Sequence, residues 1–427
     1  MLSNIFKLGQ SKEIIFSFIE KFGVSFLNFF ASIFLIKLLG IESLGFIGSF
    51  SLIAGVTLTV SDGGFTQLIL KLDNLNSKDY SGIFIVNFII ALFFSTLIFL
   101  FSEPFATYYN DPTLKYWLKI YTLTIIFNSL SIVPIAVMTK TGDYRKLLRI
   151  NSVAILSSII IFYIYYFLTE NINYKSSVYY FIILSFLKSF LLIVFFKFNL
   201  SFSKISFKTI QDNLDFNFSI IFGQLINSVS ANIVAFVLPN LIDYKIAGIY
   251  ALFNKIKEFS VGNINHSIHR VIFSSLSSIK QYSNRNNLMI KSTILAASIS
   301  LIVMIVVFIG KGFIMNIFEI NNIFVEYDYI ILYVCLLGSL WPILNLNSIY
   351  LQYQYHKSYL SVEIIGFLLT LLIFLISKEP VSFIIYMALS FFICTLISSY
   401  LLYKKITFRF YISLYCCFLL LIFLWTI

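Results

Sequence analysis

The sequence predicts an all-α polytopic membrane protein, with about 12 transmembrane helices in two six-helix lobes forming a parallel pseudo-repeat around a central cavity. Three observations carry this. Only 11% of residues are charged, against roughly 25% in soluble domains. Mean hydropathy is +0.92. Apolar runs close to the roughly 20 residues that cross the hydrocarbon recur from end to end. None of these runs alternates with period two, which excludes an outer-membrane barrel.

The first lobe, 1–198, holds spans 1 to 6 at 13–36, 44–70, 81–102, 116–138, 148–168 and 177–198. No small-residue cleavage site follows the first run, so it reads as an uncleaved helix. The polar stretch 199–215 is the linker. The second lobe, 216–403, holds spans 7 to 12 at 216–239, 246–276, 289–310, 329–351, 359–377 and 381–403. Within 404–427, the apolar run 410–427 is an extra hydrophobic helix that crosses the membrane or lies against the bundle. Two echoes support the repeat. Tyr144-Arg145-Lys146 after span 4 matches Tyr355-His356-Lys357 after span 10, and Gly45 after span 1 matches Gly248 after span 7.

Lys and Arg set the orientation. With the N-terminus in the cytoplasm, 19 basic residues fall on the cytoplasmic side, 7 on the other, and 4 within the membrane. The net charge of +11 does not indicate nucleic acid, because the cations lie between apolar runs and form no basic domain. Cys335, Cys394, Cys416 and Cys417 all lie in apolar segments and suggest neither a disulfide framework nor a metal site. The 49 Phe and 27 Tyr accompany abundant Ile, Asn and Lys and read as the composition of an AT-rich genome, not as sugar-stacking platforms.

The four intramembrane cations are Lys188, Lys255, Lys257 and Arg270, and three of them lie on span 8. Ionisable groups at that depth are costly and usually face a bundle interior or a water-filled path. On a wheel of about 100° per residue, Lys255, Glu258, Gly262, Asn263, Asn265, His266, His269 and Arg270 share one side of span 8. Lys257 falls on the apolar side and is expected to snorkel to the far interface. Span 7 offers Asn217, Gln224, Asn227, Ser228 and Ala231; span 1 offers Ser17, Glu20, Asn28 and Ser32. In both, interhelical hydrogen bonding and cavity lining are open readings. Asp62, in Ser61-Asp62-Gly63-Gly64, either pairs a cation or caps a break made by the two glycines. Lys188 lies about 15 Å of helix from the nearer end of span 6 and should face the lumen or a carboxylate. The sequence holds no Gly-rich Lys-Ser/Thr phosphate loop, so any transport proceeds without the chain itself hydrolysing ATP, and no cofactor or metal is expected.

Lys37-Leu-Leu-Gly-Ile-Glu-Ser-Leu-Gly-Phe after span 1, Gly248-Ile-Tyr250 before the polar span 8, and the Gly142-Asp-Tyr-Arg-Lys loop resemble the polysaccharide transport branch of the multidrug/oligosaccharidyl-lipid/polysaccharide exporter superfamily. Wzx-type flippases of O-antigen repeat units are the nearest in pattern. The chain departs from it at Phe273-Ser-Ser-Leu-Ser-Ser, where a proline is expected. The resemblance implies a non-enzymatic flippase in the bacterial inner membrane. It would carry an undecaprenyl-diphosphate-linked oligosaccharide between leaflets, alongside membrane lipid and polymerase machinery. Lys255, Arg270 and Lys188 would bind the diphosphate, with Asn265, Gln224, Asn227 and Asn28 toward sugar. Glu258, His266, His269, Asp62 and Glu20 would couple H+ or Na+. A multidrug antiporter of the same superfamily is the alternative, and there carboxylates should dominate the cavity. A membrane glycosyltransferase or polymerase would need a catalytic loop longer than the roughly 20 residues available outside the membrane.

Overall fold

The computed structural model describes residues 8–72, 75–169, 172–195, 207–263, 282–318, 328–354, 356–377 and 379–403. The spans appear as helices at Leu8–Leu39, Glu42–Asp62 with Phe65–Lys71, Ser77–Leu100, Leu114–Lys140, Tyr144–Leu168, Ser177–Phe195, Leu214–Leu241, Tyr244–Lys257 with Glu258–Gly262, Tyr282–Ile309, Asp328–Gln354, His356–Ile376 and Pro380–Tyr403. Among the described residues eight helices are long and apolar enough to cross a membrane, or nine if span 9 and the short helix bent from it count as one. The extra hydrophobic segment at 410–427 lies outside the described residues.

Local chemistry explains the interruptions. Span 2 breaks at Gly63 and Gly64, whose φ angles of +58° and +68° suit glycine. Asp62 then caps the continuation. Its carboxylate accepts from Thr66 N–H at 3.3 Å and Thr66 Oγ1 at 2.5 Å. Span 3 starts at a reciprocal cap in which Asn76 and Asp79 satisfy each other's backbone N–H groups. Pro134 and Pro342 lie inside spans 4 and 10, where a membrane bundle tolerates a helix proline. The repeat also shows in short helices after corresponding spans: Ser102–Tyr108 follows span 3, and Lys311–Ile317 follows span 9 at a 57° bend.

The core is continuous across the two halves. Phe46, Phe50, Leu118 and Tyr121 of the first pack in one cluster with Val234, Leu238, Tyr250, Leu252, Phe253, Ile330 and Val334 of the second. Span 2 joins them, packing along both span 7 and span 8. Phe93, Leu100, Phe167, Leu168, Ile309 and Leu375 are exposed in the bundle and form its lipid-facing side. The turns after odd-numbered spans share one end of the bundle, called here the odd-loop end; the turns after even-numbered spans define the even-loop end.

Candidate transport site

At the odd-loop end the two halves are held in backbone contact. A Cβ added to Gly45 would lie 1.8 Å from the Tyr244 carbonyl oxygen and 2.7 Å from the Gly248 nitrogen; one added to Gly248 would lie 2.2 Å from the Ile41 carbonyl oxygen. The two echoing glycines therefore meet. Phe46 fills the space beside them, its ring edge-on to Tyr174 at 5.8 Å and to Tyr244 at 5.4 Å. Tyr109, buried, donates to the Phe236 carbonyl of span 7, and Lys37 Nζ donates to the Ile317 carbonyl at 2.9 Å. Both hydrogen bonds tie the first half to the second.

A polar knot finishes this closure. Lys175 Nζ lies 2.7 Å from Asp111 Oδ2 and 2.5 Å from Thr113 Oγ1, while the Tyr244 hydroxyl reaches Asp111 Oδ2 at 3.5 Å. Burial pushes the Asp111 carboxyl up, but the Lys175 and Thr113 hydrogen bonds and the lysine charge outweigh it and hold it below its ordinary 3.8. A depressed carboxylate stabilises the fold above its ordinary value and loses that contribution as pH falls through the folded value. Asp111→Asn is expected to cost about 2 kcal/mol at neutral pH, the scale of a charged hydrogen bond. Below about pH 4 the wild type should lose stability faster than Asp111→Asn. Thermal unfolding across pH checks this, and parallel curves for the two proteins would refute it.

Deeper in the bundle, span 1 crosses span 8 at an aromatic seam. Phe259 contacts Phe22, Phe26 and Phe29 with centroids 5.2, 6.1 and 5.5 Å apart. Ser25 Oγ donates to Asn263 Oδ1 at 3.0 Å, and Asn263 Nδ2 donates to the Phe259 carbonyl at 2.6 Å. Glu258–Gly262 forms a widened, π-helical turn. Such turns loosen the hydrogen-bond ladder and recur at functional sites. Here Asn263 takes up a carbonyl of that turn.

The charged residues of span 8 divide. Lys255 is half-buried, and Glu258 is exposed and accepts from Asn254 Nδ2 at 3.2 Å. Lys257 does not snorkel to the far interface as expected. Its Nζ lies over the Trp341 ring of span 10, 5.1 Å from the centroid. The stem fits because position 338 is glycine, where a Cβ would lie 3.0 Å from Lys257 Cγ. The cation–π contact offsets what an apolar helix face would otherwise cost the charge. Asn265, His266, His269 and Arg270 lie outside the described residues.

The polar stripes also divide. On span 1 Ser17, Glu20 and Ser32 are buried, while Asn28 is exposed. On span 7 Asn217 is buried and Gln224 half-buried, and Ser228 faces span 2, 2.6 Å from where a Gly55 Cβ would stand; Asn227 and Ala231 are exposed. Lys188 is half-buried on span 6, with Glu20 and Lys21 of span 1 within electrostatic reach. Electrostatics couple Lys188 to span 1 and Lys255 to Glu258. One intramembrane acid was missed: Glu363 of span 11, half-buried and near Cys394 of span 12. Its position inside the predicted run 359–377 was the available signal. Among the described residues no group of three or more His, Cys, Asp or Glu is placed to hold a metal.

Comparison with known proteins gives the fold a context. It is similar to the structure titled "Lipid II flippase MurJ, inward closed conformation", with 16% identity, 91% of this chain and 87% of that chain covered, and a TM-score of 0.67. It is also similar to an inward-facing multidrug resistance MATE family transporter of the MOP superfamily, with 14% identity, 90% and 96% covered, and a TM-score of 0.64. For a structure of the MATE multidrug transporter DinF-BH the figures are 15%, 92% and 95%, and 0.62. These likenesses establish a shared all-helical fold. No curated protein sequence matches. The family model described as "Polysaccharide biosynthesis protein" matches residues 34–318, well over half of the chain, and the chain belongs to that family.

Proposed function

We propose that the chain flips a polyprenyl-diphosphate-linked oligosaccharide, an O-antigen or capsule repeat unit, from the cytoplasmic to the periplasmic leaflet by ATP-independent alternating access. The observation that carries this reading is the sealed odd-loop end, where Gly45 meets Gly248 across the two halves in a chain of a polysaccharide biosynthesis family. A carrier closed on one side by contact between its halves presents its interior to the other. The even-loop end is cytoplasmic in this reading, in line with the distribution of Lys and Arg. The membrane is the bacterial inner membrane, and 1–198 and 216–403 are the moving lobes about the 199–215 linker. Polymerase machinery is the expected downstream partner.

Lys255 and Arg270 hold the diphosphate by charge-assisted hydrogen bonds; Asn265, Gln224, Asn227 and Asn28 serve the sugar. Glu258, His266 and His269 couple an ion, H+ or Na+, with Glu20 and Asp62 as further carboxylates. Lys255→Ala and Arg270→Ala are each expected to lower surface polysaccharide in a complemented deletion strain by about tenfold or more while still inserting, the effect of losing roughly 1.4 kcal/mol of binding. Normal polysaccharide from both variants would sink the cation role.

One observation favours a second reading. With Glu363 counted beside Glu20, Asp62 and Glu258, the intramembrane acids equal the cations Lys188, Lys255, Lys257 and Arg270. An organic-cation antiporter uses such acids. Resistance to cationic dyes conferred by expression, with no rescue of polysaccharide export, would decide for it.

A further inference from the structure

We propose that the short helices Ser102–Tyr108 and Lys311–Ile317 are reciprocal straps, each rooted in its own half and latched onto the first span of the other, which together hold the odd-loop end closed. The proposal rests on the alternating-access part of the reading above and is indifferent to the substrate.

The two helices are rooted alike. Each is seven residues long, and they start 209 positions apart, at Ser102 and Lys311. The first is tied to the start of span 4, where Lys115 Nζ lies 2.7 Å from Glu103 Oε2. The second is tied to the start of span 10, where Lys311 Nζ lies 2.5 Å from Asp328 Oδ2. The acid belongs to the strap in one half and to the span in the other, so the arrangement repeats with its charges exchanged. Each root also places a cation over the phenylalanine three residues before the strap. Lys119 covers Phe99 and Lys311 covers Phe308, both 4.5 Å from the ring centre. Recurrence at equivalent places in both halves marks the root as a built feature of the repeat.

The far ends cross to the opposite half. Tyr109, the residue after the first strap, donates its hydroxyl to the Phe236 carbonyl near the end of span 7, and the Tyr108 ring stacks on the Phe236 ring at 5.5 Å. The Tyr109 hydroxyl also lies 3.4 Å from the Ser49 carbonyl of span 2, one turn along from Gly45. The second strap ends at Ile317, whose carbonyl has no donor within its own helix and accepts from Lys37 Nζ near the end of span 1 at 2.9 Å. A lysine charge suits that helix terminus. Ala106 of one strap and Met315 of the other are buried in the central core. Parting the halves at this end breaks both latches, whereas each root lies within one half and survives. The glycine contact lets the halves approach; the straps oppose their leaving.

The test is double electron–electron resonance between spin labels at Leu168→Cys and Ile376→Cys, in the full chain without native cysteines in lipid nanodiscs. Both residues are exposed at the odd-loop end, Leu168 closing span 5 and Ile376 closing span 11, one in each half. Wild type should show one dominant short distance. Tyr109→Phe, which removes only the hydroxyl, should raise the ratio of long to short distances about fivefold, and Lys37→Met about threefold, the scale of one hydrogen bond each. The double variant should reach about tenfold or more, because distant contacts add in free energy. Lys37→Arg should match wild type. If Tyr109→Phe fails to insert, Phe236→Leu, which removes the stacked ring and keeps the carbonyl, takes its place with the same direction of change. A double variant with the wild-type distance distribution, whether or not it is less stable to heat, overturns the straps. Gly45→Ala separates this from failure of the underlying reading: if forcing the backbones apart also leaves the distances unchanged, the alternating-access reading falls as well.

Discussion

Gly45→Ala and Gly248→Ala are each expected to break the seal at the odd-loop end, whereas Gly48→Ala should behave nearly as wild type. All three glycines lie where span 2 approaches the second half of the molecule, so the contrast rests on what a methyl group meets. At Gly45 it meets the Tyr244 carbonyl at 1.8 Å, and at Gly248 the Ile41 carbonyl at 2.2 Å. Both obstacles are backbone and cannot rotate away. At Gly48 the nearest atom is the Ala235 carbonyl at 3.3 Å, a gap that closes with a shift of a few tenths of an ångström. Gly55→Ala should fall between, because its obstacles at 2.6 and 2.8 Å are the side chains of Ser228 and Asn232. Overpacking costs about 1–3 kcal/mol where side chains must move, and parting two backbones lies at or beyond that upper end. The closed arrangement should then lose about tenfold or more in population, since 1.4 kcal/mol is a factor of ten. Labelling by a membrane-impermeant maleimide reads this directly at Ser177→Cys, in a background without native cysteines. Ser177 is fully buried at this end, its hydroxyl 3.4 Å from the Ser43 carbonyl. Equal labelling in the Gly45→Ala and Gly48→Ala backgrounds would show that the glycine contact is not the seal.

That contact was half legible in advance. The echo of Gly45 and Gly248 marks equivalent positions in a repeat, and the structure adds that the equivalent positions touch. Hydropathy located the spans, because the cost of exposing polar backbone to hydrocarbon acts on each helix separately. It does not select which face of a helix meets which neighbour, since lipid tails are as apolar as leucine. Span 1 shows the limit: its polar stripe splits, with Glu20 buried and Asn28 exposed. Lys257 was anomalous on a wheel because its partner, Trp341, is more than eighty residues away and becomes a neighbour only once spans 8 and 10 pack. Tyr109 was invisible for a similar reason: its acceptor is the Phe236 backbone carbonyl, which no residue pattern advertises. Asp62 was readable to the extent of two options, and its hydrogen bonds to Thr66 across the Gly63–Gly64 break make it the cap.

Phe259→Ala is expected to be the most damaging single aromatic truncation at the junction of spans 1 and 8, costing about 2–4 kcal/mol. Among 49 phenylalanines nothing in the sequence distinguishes this one; its position does. It touches Phe22, Phe26 and Phe29, stacking on Phe29 at an interplanar angle of 11°. It also sits in the widened turn of span 8, and its carbonyl is held by Asn263 Nδ2. Removing the ring empties a space bordered by three side chains of the other half, whereas removing any one of those three leaves Phe259 two partners. Each of Phe22→Ala, Phe26→Ala and Phe29→Ala should therefore cost less than Phe259→Ala, and pairing any of them with Phe259→Ala should add less than its own single cost, because neighbouring truncations share one contact. The seam lies between the two halves, so its loss should also ease their separation, raising labelling of Ser25→Cys, a half-buried position on span 1 beside Asn263. Thermal unfolding of the four single and three double variants measures the first effect, and maleimide labelling of Ser25→Cys measures the second. A Phe259→Ala variant no less stable than Phe22→Ala would mean that the contacts of span 8 with its own half, such as Lys257 Nζ over the Trp341 ring at 5.1 Å, hold the turn without help from span 1.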